Sequence, residues 1–371
     1  MFNALPSFVQ SGLAFVVVLG VLVFVHEFGH YAAARLCGVH VEVFSIGFGQ
    51  AIASWKDKVG TTWKLAWLPL GGYVKLHGLE RPEQVSEEVR AGWMKGRTFH
   101  DKDVGRRAIV VAAGPIANFL LAAVLFAVLF ATAGKPVTLP VVAEVVANSP
   151  ASAAGLQKDD RIEAIDGVAT PTFLDIQRIV SLHPGAKMSL TVHRGAADQT
   201  MPITAGSHDA GDGTQVGILG IRGGEVAYTR LDPLSAIGQG VEQTWNVTSE
   251  TISGVAQMIT GRRGTEELGG PLRIAQLSGE VAQLGLAKLV SFIAILSVNL
   301  GLINLFPIPV LDGGHLVFYL AEFIRGRPVP QKAQEYGFRA GLALLASLFV
   351  FATWNDLTHL GIVRWVAGLF G

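Results

Sequence analysis

Three residues near the start of the chain could hold a metal and use it for hydrolysis: His26, Glu27 and His30, within Val21–Arg35 (VLVFVHEFGHYAAAR). On a helix, side chains four apart share a face about 6 Å from each other, so two imidazoles in an H-E-x-x-H pattern can grip one zinc ion. The carboxylate beside them is placed to take a proton from an attacking water. The pattern ends an almost unbroken apolar run, Phe15–Val25. Ionisable groups in such a run cost about 3 kcal/mol each or more unless they serve a purpose.

A catalytic zinc usually has three protein ligands and one open position, so a third ligand is needed. The stretch Asn299–His315 (NLGLINLFPIPVLDGGH) offers Asp312. Pro307 and Pro309 break a helix there, and the chain then delivers Asp312 at the same depth as the two histidines. Asp312 could instead cap the following helix. His315 is a rival ligand, and otherwise a helix residue packing nearby. Cys37 is the only cysteine, which excludes a disulfide framework and any cysteine-rich metal site.

The elements that must position these residues are apolar. Of 371 residues, 50% are hydrophobic and only 16% charged, against about 25% charged in soluble domains. Net charge is zero, and nothing suggests nucleic acid. The start, MFNALPSFVQSG, carries no Lys or Arg before the apolar run, so it reads as a retained span and not a signal peptide. Four stretches reach the roughly 20 residues a bilayer needs: Phe8–Ala34, Ala108–Ala133, Leu286–Phe306 and Phe338–Leu360, the last interrupted by Trp354, Asn355 and Asp356. Lys and Arg crowd the connections between spans one and two and between spans three and four, which places both in the cytoplasm. Both termini and the long Gly134–Lys288 segment then lie outside, with the metal motif towards the cytoplasmic side.

The chain divides accordingly: span one with the metal motif (1–35), a cytoplasmic segment (36–107), span two (108–133), an outer domain (134–230), an outer helix and linker (231–285), span three with Asp312 (286–324), and a cytoplasmic link with span four (325–371). In the cytoplasmic segment, Ser45–Gln50 and Trp63–Leu76 read as short strands around a Gly71-Gly72 turn. That hairpin is either solvated or dips into the membrane beside the metal. Span two opens Gly114-Pro115-Ile116-Ala117-Asn118, where Asn118 either bonds a neighbouring helix or helps place substrate. Ala236–Thr260 has the period of an amphipathic helix lying on the outer membrane face. Gly270–Ala275 reads as a turn before span three.

The outer domain carries S-P-A-x-x-A-G-L-x-x-x-D-x-I-x-x-I-x-G over Ser149–Gly167, which resembles PDZ domains of bacterial proteases. Leu219, Gly220 and Ile221 then look like the strand that captures a peptide C-terminus. A steric gate that binds no peptide is the alternative.

H-E-F-G-H in span one and N-x-F-P-x-P-x-L-D-G-G-H in span three together resemble the site-2 protease family, intramembrane zinc metalloproteases, and within it the regulator of sigma-E protease subgroup. G-F-G, P-L-G-G-Y-V-K-L, G-P-x-x-N and G-P-L-R-I-A match as well, so the resemblance covers nearly the whole chain. Two tandem PDZ domains are known in that subgroup, and one is visible here. The resemblance implies one zinc per chain on His26, His30 and Asp312, with Glu27 as general base. It places Asn304, Pro307 and Pro309 at a substrate cleft and makes Gly71, Gly72, Tyr73 and Val74 an edge strand for the substrate. It favours the membrane-associated reading of the hairpin.

The expected fold is thus an α-helical polytopic membrane protein of about four transmembrane helices, with a membrane-associated β-hairpin and an inserted α+β PDZ domain. The expected setting is the bacterial inner membrane, PDZ domain and termini periplasmic. The expected function is regulated intramembrane proteolysis of single-pass proteins already trimmed outside, such as anti-sigma factors of the sigma-E stress response or remnant signal peptides. Membrane lipid and a peptide end at the PDZ domain are the other expected partners. A PDZ scaffold with a structural metal, and a membrane metallopeptidase for soluble peptides, are the alternatives.

Overall fold

The computed structural model describes residues 6–80, 85–209, 215–262, 264 and 269–359. Both chain ends, with the expected end of span four at Leu360, lie outside those residues. The chain forms two compact units, Met1–Leu129 with Pro233–Gly371, and Phe130–Asp232.

The first unit opens with α1 (Ser7–Leu36), followed by β1 (Val41–Lys56), β2 (Thr62–Leu76), a short turn of helix α2 (Glu87–Ala91) and α3 (Val104–Thr132). α1 and α3 meet at Gly29, where a Cβ would lie 2.3 Å from the Ala113 carbonyl oxygen. Only glycine allows that approach. β1 and β2 both double back. Val43–Ile46 lies beside residues 72–75 on one side and beside 62–65 on the other, and 62–65 pairs in turn with 53–56.

The connection between β1 and β2 is tied by Asp57, which accepts from the Val59 and Thr61 amides at 3.0 and 2.9 Å. Gly71 and Gly72, expected at a turn, fall within β2 where it doubles back between residues 65 and 72, and Gly71 has a positive φ of 122°. A Cβ on Gly72 would sit 2.7 Å from the Ser45 carbonyl oxygen and 2.9 Å from Glu27 Cγ. Gly72 thus also allows close packing against α1. Beyond β1, residues 72–76 have no second strand partner among the described residues.

The second unit contains β3 (Lys135–Thr138), β4 (Val142–Val145), α4 (Pro150–Ala154), β5 (Arg161–Ile165), β6 (Val168–Ala169), α5 (Phe173–Ser181), β7 (Lys187–Arg194), β8 (Ala197–Thr204), β9 (Gly206–Asp209), β10 (Gln215–Ile218), β11 (Ile221–Gly223) and β12 (Val226–Thr229). Its main sheet has the order β6-β5-β7-β8, and the remaining strands form pairs. α5 starts at a reciprocal cap between Thr172 and Asp175, and it buries Phe173, Ile176 and Val180 on one face. These pack with Ile162, Ile165, Leu190 and Val192 in the core.

Asp160 closes that core. It is 1% exposed and receives two hydrogen bonds from Arg194, at 2.7 and 2.6 Å, and one from the Gln157 amide at 2.8 Å. Burial raises the Asp160 carboxyl, but the Arg194 guanidinium and the Gln157 amide outweigh it and hold the group below the ordinary carboxylate range. A depressed folded value means the stabilisation is present above the unfolded value of about 4 and is lost as pH falls through the folded one. Asp160→Asn is therefore expected to lower hydrogen-exchange protection of the β7 amides at pH 7 by about 2 kcal/mol. Wild type and variant should converge in acid; a gap that persists there would mean the charge is not the cause.

The first unit resumes with α6 (Pro233–Ile259), α7 (Pro271–Gln283), α8 (Leu286–Leu305), α9 (Asp312–Arg325) and α10 (Gln331–His359). Among the described residues, four helices are long and apolar enough to cross a membrane: α1 from Phe8, α3, α8, and α10 as far as Thr358. α6 packs against two of them. Its small residue Gly240 sits against α3, where a Cβ would be 2.5 Å from the Ala123 carbonyl oxygen, and Thr251 bonds Asn299 of α8 at 3.1 Å. The expected turn at Gly270–Ala275 is instead the start of α7, with Pro271 in the first turn, where proline's missing N–H costs nothing. Asp356, one of the residues interrupting span four, accepts from the Gly270, Leu272 and Arg273 amides at 2.8, 3.0 and 3.1 Å. It ties the end of α10 to the start of α7, which packs along α1 at Ser11 and Gly279.

Candidate metal centre

α1 carries His26 and His30 one turn apart, and the loop after α8 brings Asp312 to them at the first residue of α9. The facing atoms form a nearly equilateral triangle. His26 Nε2 to His30 Nε2 is 3.3 Å, His26 Nε2 to Asp312 Oδ2 is 3.3 Å, and His30 Nε2 to Asp312 Oδ2 is 3.4 Å. Ligands bound at about 2.0–2.1 Å in a tetrahedral zinc site are separated by about 3.3–3.4 Å, so one ion fits the triangle. Asp312 Oδ2 is buried without a hydrogen-bond partner among the described residues. A metal would satisfy it.

The outer nitrogens are anchored. His30 Nδ1 lies 2.9 Å from the Val110 carbonyl oxygen, which can only accept, so the proton sits on Nδ1 and Nε2 keeps its lone pair. His26 Nδ1 lies 3.2 Å from the Asn118 amide, whose Oδ1 is otherwise buried and unpartnered. Turning that amide over gives Oδ1 the His26 Nδ1–H and frees the second Nε2 as well. Asn118 thus orients a candidate ligand, a role between the two that its sequence suggested, and Ser297 of α8 bonds its carbonyl at 2.8 Å.

Gly114, in the same stretch of α3, faces the centre directly. A Cβ there would be 2.2 Å from His30 Nε2 and 2.9 Å from His26 Cε1. The space the ion needs exists because this residue has no side chain. Its sequence context, a glycine four residues before Asn118, signalled helix packing and hid this role.

The centre opens into a cleft of about 350 Å³ lined by Glu27, Gly72, Tyr73, Val74, Asn304 and His315 among others. Asn304 donates to the Leu300 carbonyl at 3.0 Å. Gly71 lines a different cavity, of about 630 Å³, between α1, α7 and α8. Pro307 and Pro309 line neither cavity. Pro309 instead packs against α10, where a Cβ on Gly341 would lie 1.9 Å from its carbonyl oxygen. In the other unit, Leu219, Gly220 and Ile221 line a groove of about 470 Å³ against Phe173, Ile176 and Val180 of α5.

An ion pair braces the centre from one side. Arg107, in the first turn of α3, meets Glu322 of α9 at 2.7 and 3.3 Å, with its guanidinium 5.0 Å from the Tyr319 ring centre. Both side chains are nearly buried, at 11% and 12% exposure. Since α3 supplies Gly114 and Asn118 and α9 supplies Asp312, the pair fixes two of the three elements that meet there. Arg107→Ala is expected to cost about 3–5 kcal/mol, because it strands a buried carboxylate. It should also speed zinc loss to a chelator, measured against wild type. Arg107→Met with Glu322→Leu together should regain most of the stability; failure to regain it would show that the ion pair is not what the site depends on.

The model of peptidase family M50 matches residues 14–348. A protein of Agrobacterium fabrum with a provisional zinc metalloprotease name is 44% identical over 93% of this chain and 95% of its own. The metalloprotease MmpA of Caulobacter vibrioides is 37% identical, covering 95% and 96%. The regulator of sigma-E protease RseP of Escherichia coli is 32% identical, covering 95% and 100%. A solved PDZ domain of a Listeria monocytogenes protein covers 22% of the chain at 23% identity and a TM-score of 0.20, too slight a likeness to rest anything on. With a family match across nearly its full length and relatives that align end to end, the chain belongs to peptidase family M50, the site-2 protease family of zinc metalloproteases.

Proposed function

We propose that this protein is an intramembrane zinc endopeptidase of the bacterial inner membrane. It cleaves single-pass proteins within or at the edge of their membrane segment. The observation that carries this reading is the triangle of donor atoms at the end of an apolar span, with Glu27 beside it and an unpaired strand edge in the same cleft. His26, His30 and Asp312 hold the ion, one per chain. When bound, zinc polarises a carbonyl and makes water more acidic. Glu27 takes the proton of the attacking water and passes it to the leaving amine.

A transmembrane helix hides its peptide bonds in internal hydrogen bonds, so the substrate must unwind before it can be cut. Gly72, Tyr73 and Val74 supply replacement main-chain bonds by pairing with the extended segment, and Asn304 borders it. Gly71, Pro307 and Pro309 shape the backbone around that path. The other unit is periplasmic, with both termini on that side, and its groove at Leu219–Ile221 receives the trimmed end of the substrate. The substrates are regulators of an alternative sigma factor or remnant signal peptides.

One comparison tests the reading. The same cleavage sequence is offered within a membrane segment and as a soluble peptide. Efficient cleavage is expected only in the membrane form; equal rates would point to a peptidase for soluble peptides.

A further inference from the structure

His315 lines the same cleft as Glu27, His26, His30 and Asp312 but is not part of the donor triangle. It lies three residues after Asp312 on α9, so the two side chains share one flank of the helix. The ring packs against Phe338 of α10, 5.3 Å between centroids and tilted by 53°, which fixes its plane. Among the described residues, neither ring nitrogen has a hydrogen-bond partner. Other polar groups around the centre are engaged: Asn304 with the Leu300 carbonyl and Asn118 with His26. Tyr73 is 36% exposed, open enough for water to serve its hydroxyl.

A neutral imidazole always carries one N–H. Unbonded within the protein and on the wall of the cleft, that donor is free for an acceptor that a ligand brings in. A peptide bond held for attack beside Glu27 gains negative charge on its carbonyl oxygen. A fixed donor in a site of low dielectric acts most strongly on charge that appears only in the transition state. We infer that the His315 N–H is a catalytic hydrogen-bond donor to the scissile carbonyl oxygen as that charge develops. The proton remains on the ring throughout, so the role is distinct from the proton transfer by Glu27. This inference rests on the protease reading above.

The test uses the full-length protein in detergent. The probe is a single-pass reporter of about 20 apolar residues, with a central Ala-Gly-Ser to ease unwinding and a short outer tail. His315→Phe keeps the ring packing against Phe338 and removes the donor; His315→Gln keeps an N–H and removes the ring. The Phe variant should lose roughly 100-fold in kcat, with KM and bound zinc unchanged, and the Gln variant should stay within about fivefold of wild type. Binding of a phosphonamidate that mimics the charged tetrahedral centre should weaken in the Phe variant in step with kcat/KM. A Phe variant within threefold of wild type overturns the inference, as does a Gln variant that falls as far as Phe, or zinc lost from both. In each of those cases wild type still cleaves. If wild type does not cleave, the protease reading itself fails and takes this inference with it.

Discussion

Glu27→Gln is expected to keep a full complement of zinc while losing about 1,000-fold or more of its cleavage rate. Glutamine matches glutamate in size, so the packing of the residue 27 side chain against Gly72 in β2 survives the change. It lies outside the triangle of His26, His30 and Asp312, so the metal donors are untouched. What disappears is a basic oxygen. An amide cannot accept the proton of an attacking water or return it to the departing amine, and both transfers limit peptide hydrolysis near neutral pH. The measurement pairs a gel-based cleavage assay of a trimmed single-pass substrate with metal analysis of the same samples. Zinc present and cleavage absent is the expected outcome. Full activity in the variant would remove Glu27 from the mechanism. Loss of zinc would show instead that residue 27 belongs to the metal's own surroundings.

The candidate metal centre was legible because its chemistry imposes spacing. Two histidines one helical turn apart, and an aspartate where a proline-broken helix restarts at the same depth, leave few alternatives. The structure brings those atoms within 3.4 Å of one another. In the second unit, α5 follows a local pattern: Phe173, Ile176 and Val180 repeat with the helical period. Glycine and proline were poorer guides. Gly270-Pro271 signals a turn, yet it opens a helix. The reason is tertiary: Gly270 has the buried carboxylate of Asp356 from α10 against it. A local pattern cannot report a neighbour more than eighty residues away. The same holds for Arg107 and Glu322, whose pairing across 215 positions leaves no trace in either local sequence.

Gly114→Ala is expected to empty the metal site, and cleavage is expected to fall with it. The reasoning turns on one methyl group. Within a helix, alanine is favoured over glycine by about 1 kcal/mol, so the backbone of α3 has no reason to object. The side chain, however, would arrive 2.2 Å from His30 Nε2, well inside contact distance, beside the atom that must offer its lone pair to the ion. His30 cannot retreat while its other nitrogen stays bonded to the Val110 carbonyl at 2.9 Å, and moving the ring breaks the equal spacing of the three donors. Altering groups that merely orient a ligand weakens binding by about 10–100-fold; displacing the ligand itself should exceed that range. Gly20→Ala on α1 is the control, because a Cβ there meets nothing within 4 Å. Zinc affinity measured by competition with a chelator separates the cases: unchanged for Gly20→Ala and reduced more than 100-fold for Gly114→Ala, with the metal-free proteins melting alike. Normal zinc affinity in Gly114→Ala would mean that the ion does not sit between His26, His30 and Asp312, and the mechanism built on that triangle would fall with it.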